Sequence, residues 1–194
     1  MTRGLLGVYL VLFLGVGCAT TTYTNGVPNF GTTPGATNVF HSGQPETAAQ
    51  WAGLRELLCQ GRATCRVHIA KLNRPSEGSD DGGRAIGFDV RDFAMHPYTD
   101  AFPYVQEVFL GPDDATIARL QAWIDAIPDT DNGVDVYDFH CVHGWDRTMR
   151  AVREYLVRRR GWTTEAASDY ASANGNHWIY FTLNRPWPAS GKGN

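Results

Sequence analysis

Nine consecutive residues carry a coherent set of chemical groups: His140-Cys141-Val142-His143-Gly144-Trp145-Asp146-Arg147-Thr148. The run before them, Val134 to Phe139, has strand character. The run after them, from about Thr148 to Arg160, has helix character and stops at Gly161. A loop between a strand end and a helix start turns successive backbone N–H groups into one concavity, and the helix N-terminus adds partial positive charge. Such a cradle, running through Val142, His143, Gly144, Trp145, Asp146 and Arg147, suits a phosphate dianion. The same positive field favours the thiolate of a cysteine at its rim, here Cys141, and the thiolate is the nucleophilic form. Arg147 offers a planar fork that holds two phosphate oxygens, which Lys cannot do. Gly144 lets the backbone turn close beneath the ligand.

These groups need a frame, and the rest of the chain supplies one. Trp51, Leu54, Leu57 and Leu58 fall at helical spacing within Glu46 to Leu58, with Gly61 as a stop. Arg66 to Leu72 alternates as a strand does. Arg74 to Arg84 reads as a loop, and Ile86 to Ala94 as a second strand. Pro112 opens a helix to Ile127 with Ile117, Leu120, Ile124 and Ile127 on one stripe, and Pro128 ends it. A last helix covers Thr164 to Ala173 before Asn174-Gly175. Strands alternating with helices predict an α/β domain of three layers, its central, mostly parallel sheet flanked by helices.

The chain has 194 residues, enough for one domain with a proper core. A formal net charge of −3 and the absence of a broad basic face argue against nucleic acid as a partner. Residues 1–17 contain Arg3 and then the apolar run Leu5 to Val16, too short to span a bilayer and suited to a signal-peptide core. Gly15-Val16-Gly17-Cys18 resembles the lipobox of bacterial lipoproteins, which implies acylation of Cys18 and attachment to a membrane facing the periplasm or cell exterior. Residues 18–37 are rich in Thr, Gly, Asn and Pro and read as a flexible tether, with the folded domain starting near Asn38. Cys59 and Cys65 lie close together around Gly61 and form a candidate disulfide in an oxidising compartment, if the Cα separation permits it. Cys141 is left over, and an unpaired cysteine in an exported protein asks for a chemical role.

The segment from His140 to Thr148 resembles the HCxxGxxRT loop of the protein tyrosine and dual-specificity phosphatase superfamily. Gly144 and Thr148 at their places set it apart from a chance Cys-x5-Arg. The resemblance implies that Cys141 takes the phosphoryl group, that Arg147 clamps it, and that the Thr148 hydroxyl helps the thiolate leave. It implies for His140 a role in fixing the loop and favouring the thiolate. Gly144 to Thr148 is also similar to the loop of myotubularin-type lipid phosphatases. Upstream, Phe40-His41-Ser42-Gly43-Gln44-Pro45 resembles the RSGQP segment of small bacterial members, with His41 in place of Arg. Downstream, Arg160-Gly161-Trp162 through His177 is similar to their closing helices. The resemblance covers about residues 38–180, and the phosphatase domain it implies is expected over 38–188, with 189–194 as a disordered tail.

Leaving-group protonation needs an acid on the loop before the helix that precedes the catalytic strand. Aligning Trp123-Ile124-Asp125 with the end of the family's helix puts Glu107 nearest the expected place. Asp113 and Asp114 are alternatives, though acids at a helix start also serve the helix itself. Asp100 is a further one if the loop folds back, and His143 is an outside candidate. Met149 stands where Gly is common in the family. Asp135 and Asp138 interrupt a strand that is usually apolar; Asp138 shares a face with His140, but an exposed edge is the expected account.

The implied reaction is hydrolysis of a phosphomonoester through a cysteinyl-phosphate, with no cofactor and no metal. Substrates are phosphotyrosine and phosphoproteins, or phosphoinositides and inositol phosphates. The alternative from another class is a lipoprotein that binds phospho-ligands with the same loop and little or no turnover. A zinc site built from His140, Cys141, His143 and His177 is disfavoured by Arg147 beside it and by the adjacent His-Cys spacing. His68, His96 and His177 are expected to be structural or surface residues, Arg158 to Arg160 a favourable helix C-terminus, and the Trp and Tyr residues of 178–187 core contacts. Trp145 is expected to shape the rim of the pocket.

Overall fold

The computed structural model describes residues 21–95 and 114–175. The central strand, β7 (Asp135–Cys141), ends on Cys141 itself. On one side it pairs in parallel with β4 (Val39–Gly43), on the other with β5 (Arg66–Lys71). β6 (Asp89–Asp92) extends the sheet in parallel beyond β5, and β3 (Gly31–Thr32) closes the other edge antiparallel to β4. The order is therefore β3-β4-β7-β5-β6. In register, Gly43 lies opposite Cys141 and Lys71 opposite His140, so the carboxyl ends of three strands form one crest. Ligands of parallel α/β sheets bind at such crests.

Helices cover both faces, as the α/β reading predicts. α1 (Ala48–Cys59) starts at Thr47, whose side chain and that of Gln50 cap each other's backbone, and it ends at Gln60 in the left-handed region. Its Trp51, Leu54 and Leu58 pack with Phe40, Ile69 and Val136 on one face. α3 (Asp114–Asp125), α4 (Asp146–Arg160) and α5 (Thr164–Ala173) cover the other, with Ile117, Leu120, Ile124, Met149, Val152 and Leu156 against Phe139 and Cys141. Side chains alternate along a strand, so β7 sends Val136 and His140 toward α1 but Phe139 and Cys141 toward α4. Gly161, left-handed, ends α4 as expected. Arg158 pairs with Asp125, while Arg159 donates to the Ile127 carbonyl at 2.7 Å, tying α4 to the end of α3.

Several sequence expectations shift. Residues 21–37, read as tether, belong to the domain: β1 (Tyr23–Thr24) and β2 (Val27–Pro28) form a hairpin that precedes β3, and Val27 is wholly buried. Turn residues organise this segment, with Asn25, Gly26 and Asn29 all at positive φ, so apolar spacing carried no signal. β4 overlaps the Phe40–Pro45 segment, which the sequence marks only by its resemblance. The loop 74–84 contains a 3-10 turn (Pro75–Glu77) and leads into a short helix, α2 (Asp81–Ala85), which shortens the following strand to Asp89–Asp92. Cys59 and Cys65 form a disulfide with Cα atoms 5.7 Å apart, at the end of the sheet away from the crest. Residues 1–17, Cys18, His96, His177 and the aromatic residues of 178–187 lie outside the described residues. Among the described residues no helix is long and apolar enough to cross a membrane.

Candidate active site

Cys141 is buried and is the free cysteine among the described residues. The chain leaves β7 at Cys141, turns through Val142, His143, Gly144 and Trp145, and enters α4 at Asp146. Gly144 sits at φ +76, and a Cβ there would fall 2.5 Å from Gly43 N and 2.6 Å from the Ser42 carbonyl carbon. No side chain fits at this position.

Four successive carbonyls of this segment are tied from outside. Leu72 N donates to the His140 carbonyl at 2.8 Å, and Gln44 N donates to those of Cys141 and Val142 at 2.8 and 3.2 Å. Asn29 Nδ2 donates to the His143 carbonyl at 2.6 Å. In a trans peptide the carbonyl and the next N–H point in opposite directions, so these bonds leave the N–H groups of Val142, His143 and Gly144 turned away from the scaffold. Together with the start of the 15-residue α4 they form a set of backbone donors of the kind an anion cradle requires.

Arg147 already holds an oxyanion. Its Nη1 lies 2.6 Å from Glu77 Oε2 and 3.1 Å from the Met95 carbonyl, and its Nη2 lies 3.4 Å from Glu77 Oε1. Partial burial pushes the Glu77 carboxyl up, but Arg147 and the Arg74 backbone N–H outweigh it and hold Glu77 below the usual carboxylate range. Glu77 is thus a counter-ion and a poor proton donor. Thr148, wholly buried, has a hydroxyl with no hydrogen-bond partner among the described residues.

His140 is fixed from behind. Its Nδ1 is 3.5 Å from Asp138 Oδ2 and its Nε2 is 3.4 Å from Asp80 Oδ1, all three side chains at 0–1% exposure. The ring stands edge-on to Trp51, with centroids 5.9 Å apart. Burial alone would lower its pKa, but the two carboxylates overcome this and raise it to about 9. Burial pushes the Asp138 carboxyl up, and His140 and the Ser42 hydroxyl, donating at 2.9 Å, only partly reverse this. Gln44 Nε2 donates to Asp80 at 3.0 Å, and Asn73 donates to Gln44 in turn. Asp138 is therefore no exposed edge residue: β7 is the middle strand, and a carboxylate there is retained because a cation faces it. Because His140 and Cys141 point to opposite faces of β7, they do not chelate one ion.

Of the remaining sequence candidates, His143 is exposed and stacks on Trp145 with centroids 5.6 Å apart, and Trp145 packs against Gly175 at the rim. Asp146 opens α4, and Asp114 is the first residue of α3. Glu107, Asp113 and Asp100 lie outside the described residues. His68 has a structural setting, between Asp89 and Asp135. Sequence reasoning missed Glu77, Asp80, Ser42 and Asn29. Only the spacing of Asp138 to His140 hinted at the acidic shell.

No protein-family model and no curated protein matches this sequence. Solved structures do. The core catalytic domain of the PP-IP phosphatase SIW14 from S. cerevisiae matches with a TM-score of 0.50 at 15% identity, over 79% of this chain and 84% of that one. TpbA from P. aeruginosa matches with a TM-score of 0.52 at 16% identity, over 80% of this chain and 79% of that one. The fold is that of the cysteine-dependent phosphatases. Within this phosphatase fold Cys141 ends the central strand and Arg147 lies in the first turn of the helix after the loop, so the cradle spans the gap between them.

Proposed function

We propose that the protein is a phosphomonoester hydrolase that works through a cysteinyl-phosphate. The Cys141 thiolate attacks phosphorus, the bond to the leaving oxygen breaks, and that oxygen takes a proton from an acid. Water then attacks the phosphocysteine, inorganic phosphate leaves, and the thiolate returns. The loop N–H groups and Arg147 hold the equatorial oxygens through both steps. Thr148, with its unpaired hydroxyl, is the donor available to the departing thiolate.

The observation that carries this reading is the Arg147 fork closed on the Glu77 carboxylate, beside a loop whose carbonyls from His140 to His143 are tied from outside. A guanidinium that grips one oxyanion in this geometry can grip another. The substrates are phosphotyrosine or phosphoprotein groups, or inositol-type phosphates of the kind named for SIW14. The Cys59–Cys65 disulfide supports export to an oxidising compartment, and with it the lipid-anchored lipoprotein read from Cys18.

The test is hydrolysis of a small aryl phosphate by the reduced protein with a metal chelator present, beside Cys141→Ser. The expected result is turnover in the wild type and its loss in the variant, with tungstate still bound by both. A folded wild type that binds tungstate without turnover would replace the hydrolase reading with that of a phospho-ligand binding protein.

A further inference from the structure

We infer that Asn29 is a positioning residue for the phosphate loop, and that it sets the direction of the Gly144 N–H. The inference rests on the proposed anion site and adds a residue to it from the N-terminal hairpin. Of the four tied carbonyls between His140 and His143, the first three are held by backbone amides of Leu72 and Gln44. Those clamps survive any side-chain change. The fourth, on His143, is held by a side chain, at 2.6 Å from Asn29 Nδ2.

The fourth clamp also holds the one peptide of the loop that ends on a glycine. The His143–Gly144 unit is followed by a glycine at φ +76, and glycine populates both signs of φ, so this peptide can rotate with the least steric resistance in the loop. Rotation would swing the His143 carbonyl into the cradle and take the Gly144 N–H out. One binding donor would become a repelling acceptor.

Asn29 is itself held on every side. Its backbone N donates to the Thr22 carbonyl at 2.7 Å, and its Oδ1 accepts from Thr22 N at 2.9 Å and Thr22 Oγ1 at 3.2 Å. The buried His41 ring bonds its backbone. Its φ of 47 is one that Asn and Asp tolerate better than other residues with a Cβ. Because Oδ1 is committed to Thr22, the amide orientation is forced and Nδ2 must face His143. Pro28, next to it, lies against Gly43, where a Cβ would meet Pro28 Cγ at 2.8 Å and the His143 carbonyl oxygen at 3.1 Å. The hairpin, Gly43 and the back of the loop thus form one packed contact.

The experiment compares wild type with Asn29→Asp and Asn29→Gly. Asp keeps the backbone conformation and the bond from Thr22, but sets an acceptor against the His143 carbonyl. Gly deletes the side chain and keeps the left-handed turn. For each, tungstate affinity by calorimetry, kcat and KM for an aryl phosphate, and thermal midpoint are measured. Loss of one hydrogen bond near an anion site corresponds to roughly tenfold. The expected result is tungstate binding weakened about tenfold in Asn29→Asp and somewhat less in Asn29→Gly, with kcat/KM falling in parallel. Variants that bind tungstate as the wild type does, whatever their thermal midpoint, overturn the inference and leave the proposed function standing. Failure of both variants to fold also overturns it, since the residue would then serve the fold as a whole. A wild type that does not bind tungstate overturns the anion site itself, and the inference with it.

Discussion

Two buried histidines contribute to opposite flanks of the pH–stability curve, one on the acid side and one on the alkaline side. His140, between Asp80 and Asp138, has its pKa raised to about 9 from an unfolded value of 6.5. The folded state therefore binds more protons than the unfolded state between those values. Its contribution is complete below pH 6.5 and is lost as pH rises through 9. His41, buried behind β3 with the Asn29 backbone as its partner among the described residues, is pushed down by burial to about 4. There the unfolded state binds more protons, so stability is complete above 6.5 and is lost as pH falls toward 4. Each shift spans about 2.5 units, and at 1.36 kcal/mol per unit each flank is worth about 3 kcal/mol. That is a large fraction of the total for a domain of this size.

Urea unfolding of the reduced protein at half-unit steps from pH 4 to 10, at constant ionic strength, measures the curve. His41→Gln is expected to flatten the acid flank and leave the alkaline one, and His140→Gln to do the reverse at a lower overall stability. An alkaline flank that persists unchanged in a folded His140→Gln would refute the charge assignment for the Asp80–His140–Asp138 cluster.

Three further outcomes follow from the geometry. Gly144→Ala places a Cβ 2.5 Å from Gly43 N at a positive φ, and should cost at least ~2 kcal/mol, read as a fall of about 4–8 °C in the thermal midpoint, with loss of aryl phosphate turnover. Glu77→Gln removes the charge that competes for Arg147; the partly exposed pair is worth about 1 kcal/mol, so tungstate should bind roughly fivefold tighter by calorimetry, and weaker binding would make Glu77 a support for Arg147 instead. Opening the short Cys59–Cys65 loop with a reductant should cost ~2 kcal/mol by chain entropy while raising turnover through a fully reduced Cys141, so stability and activity should move in opposite directions.

What was legible in the sequence was local. Nine adjacent residues carried the loop, and their order between a strand and a helix carried its geometry. α5 was expected at Thr164 to Ala173 and lies there. What was not legible came from distant partners. Glu77 is 70 residues from Arg147, in a loop where three acids and three glycines fall without periodicity. Asp138 looked misplaced because an alternating strand cannot say whether it is central or at an edge. Once β5 and β4 flank β7, a carboxylate there must have a partner, and His140 two residues on is that partner. The hairpin at 22–29 was hidden for the opposite reason: its order comes from left-handed turns and side-chain bonds, which composition cannot distinguish from a tether.

The distant partners share one logic. A buried guanidinium or imidazolium without a counter-charge costs several kcal/mol, so each cation the loop relies on is satisfied before any ligand arrives. His140 has Asp80 and Asp138; Arg147 has Glu77. The two arrangements differ in exposure. The histidine cluster is sealed at 0–1% exposure, while Glu77 is 27% exposed and can leave. In the proposed reaction an arriving phosphate therefore exchanges with Glu77 at Arg147 and meets no surplus positive charge there. On the proposed function, its net gain must come from the N–H groups of Val142, His143 and Gly144, which have no rival acceptor among the described residues. Affinity in this site is thus set less by the conspicuous arginine than by the backbone behind it, and by the bonds to Leu72, Gln44 and Asn29 that hold that backbone in place.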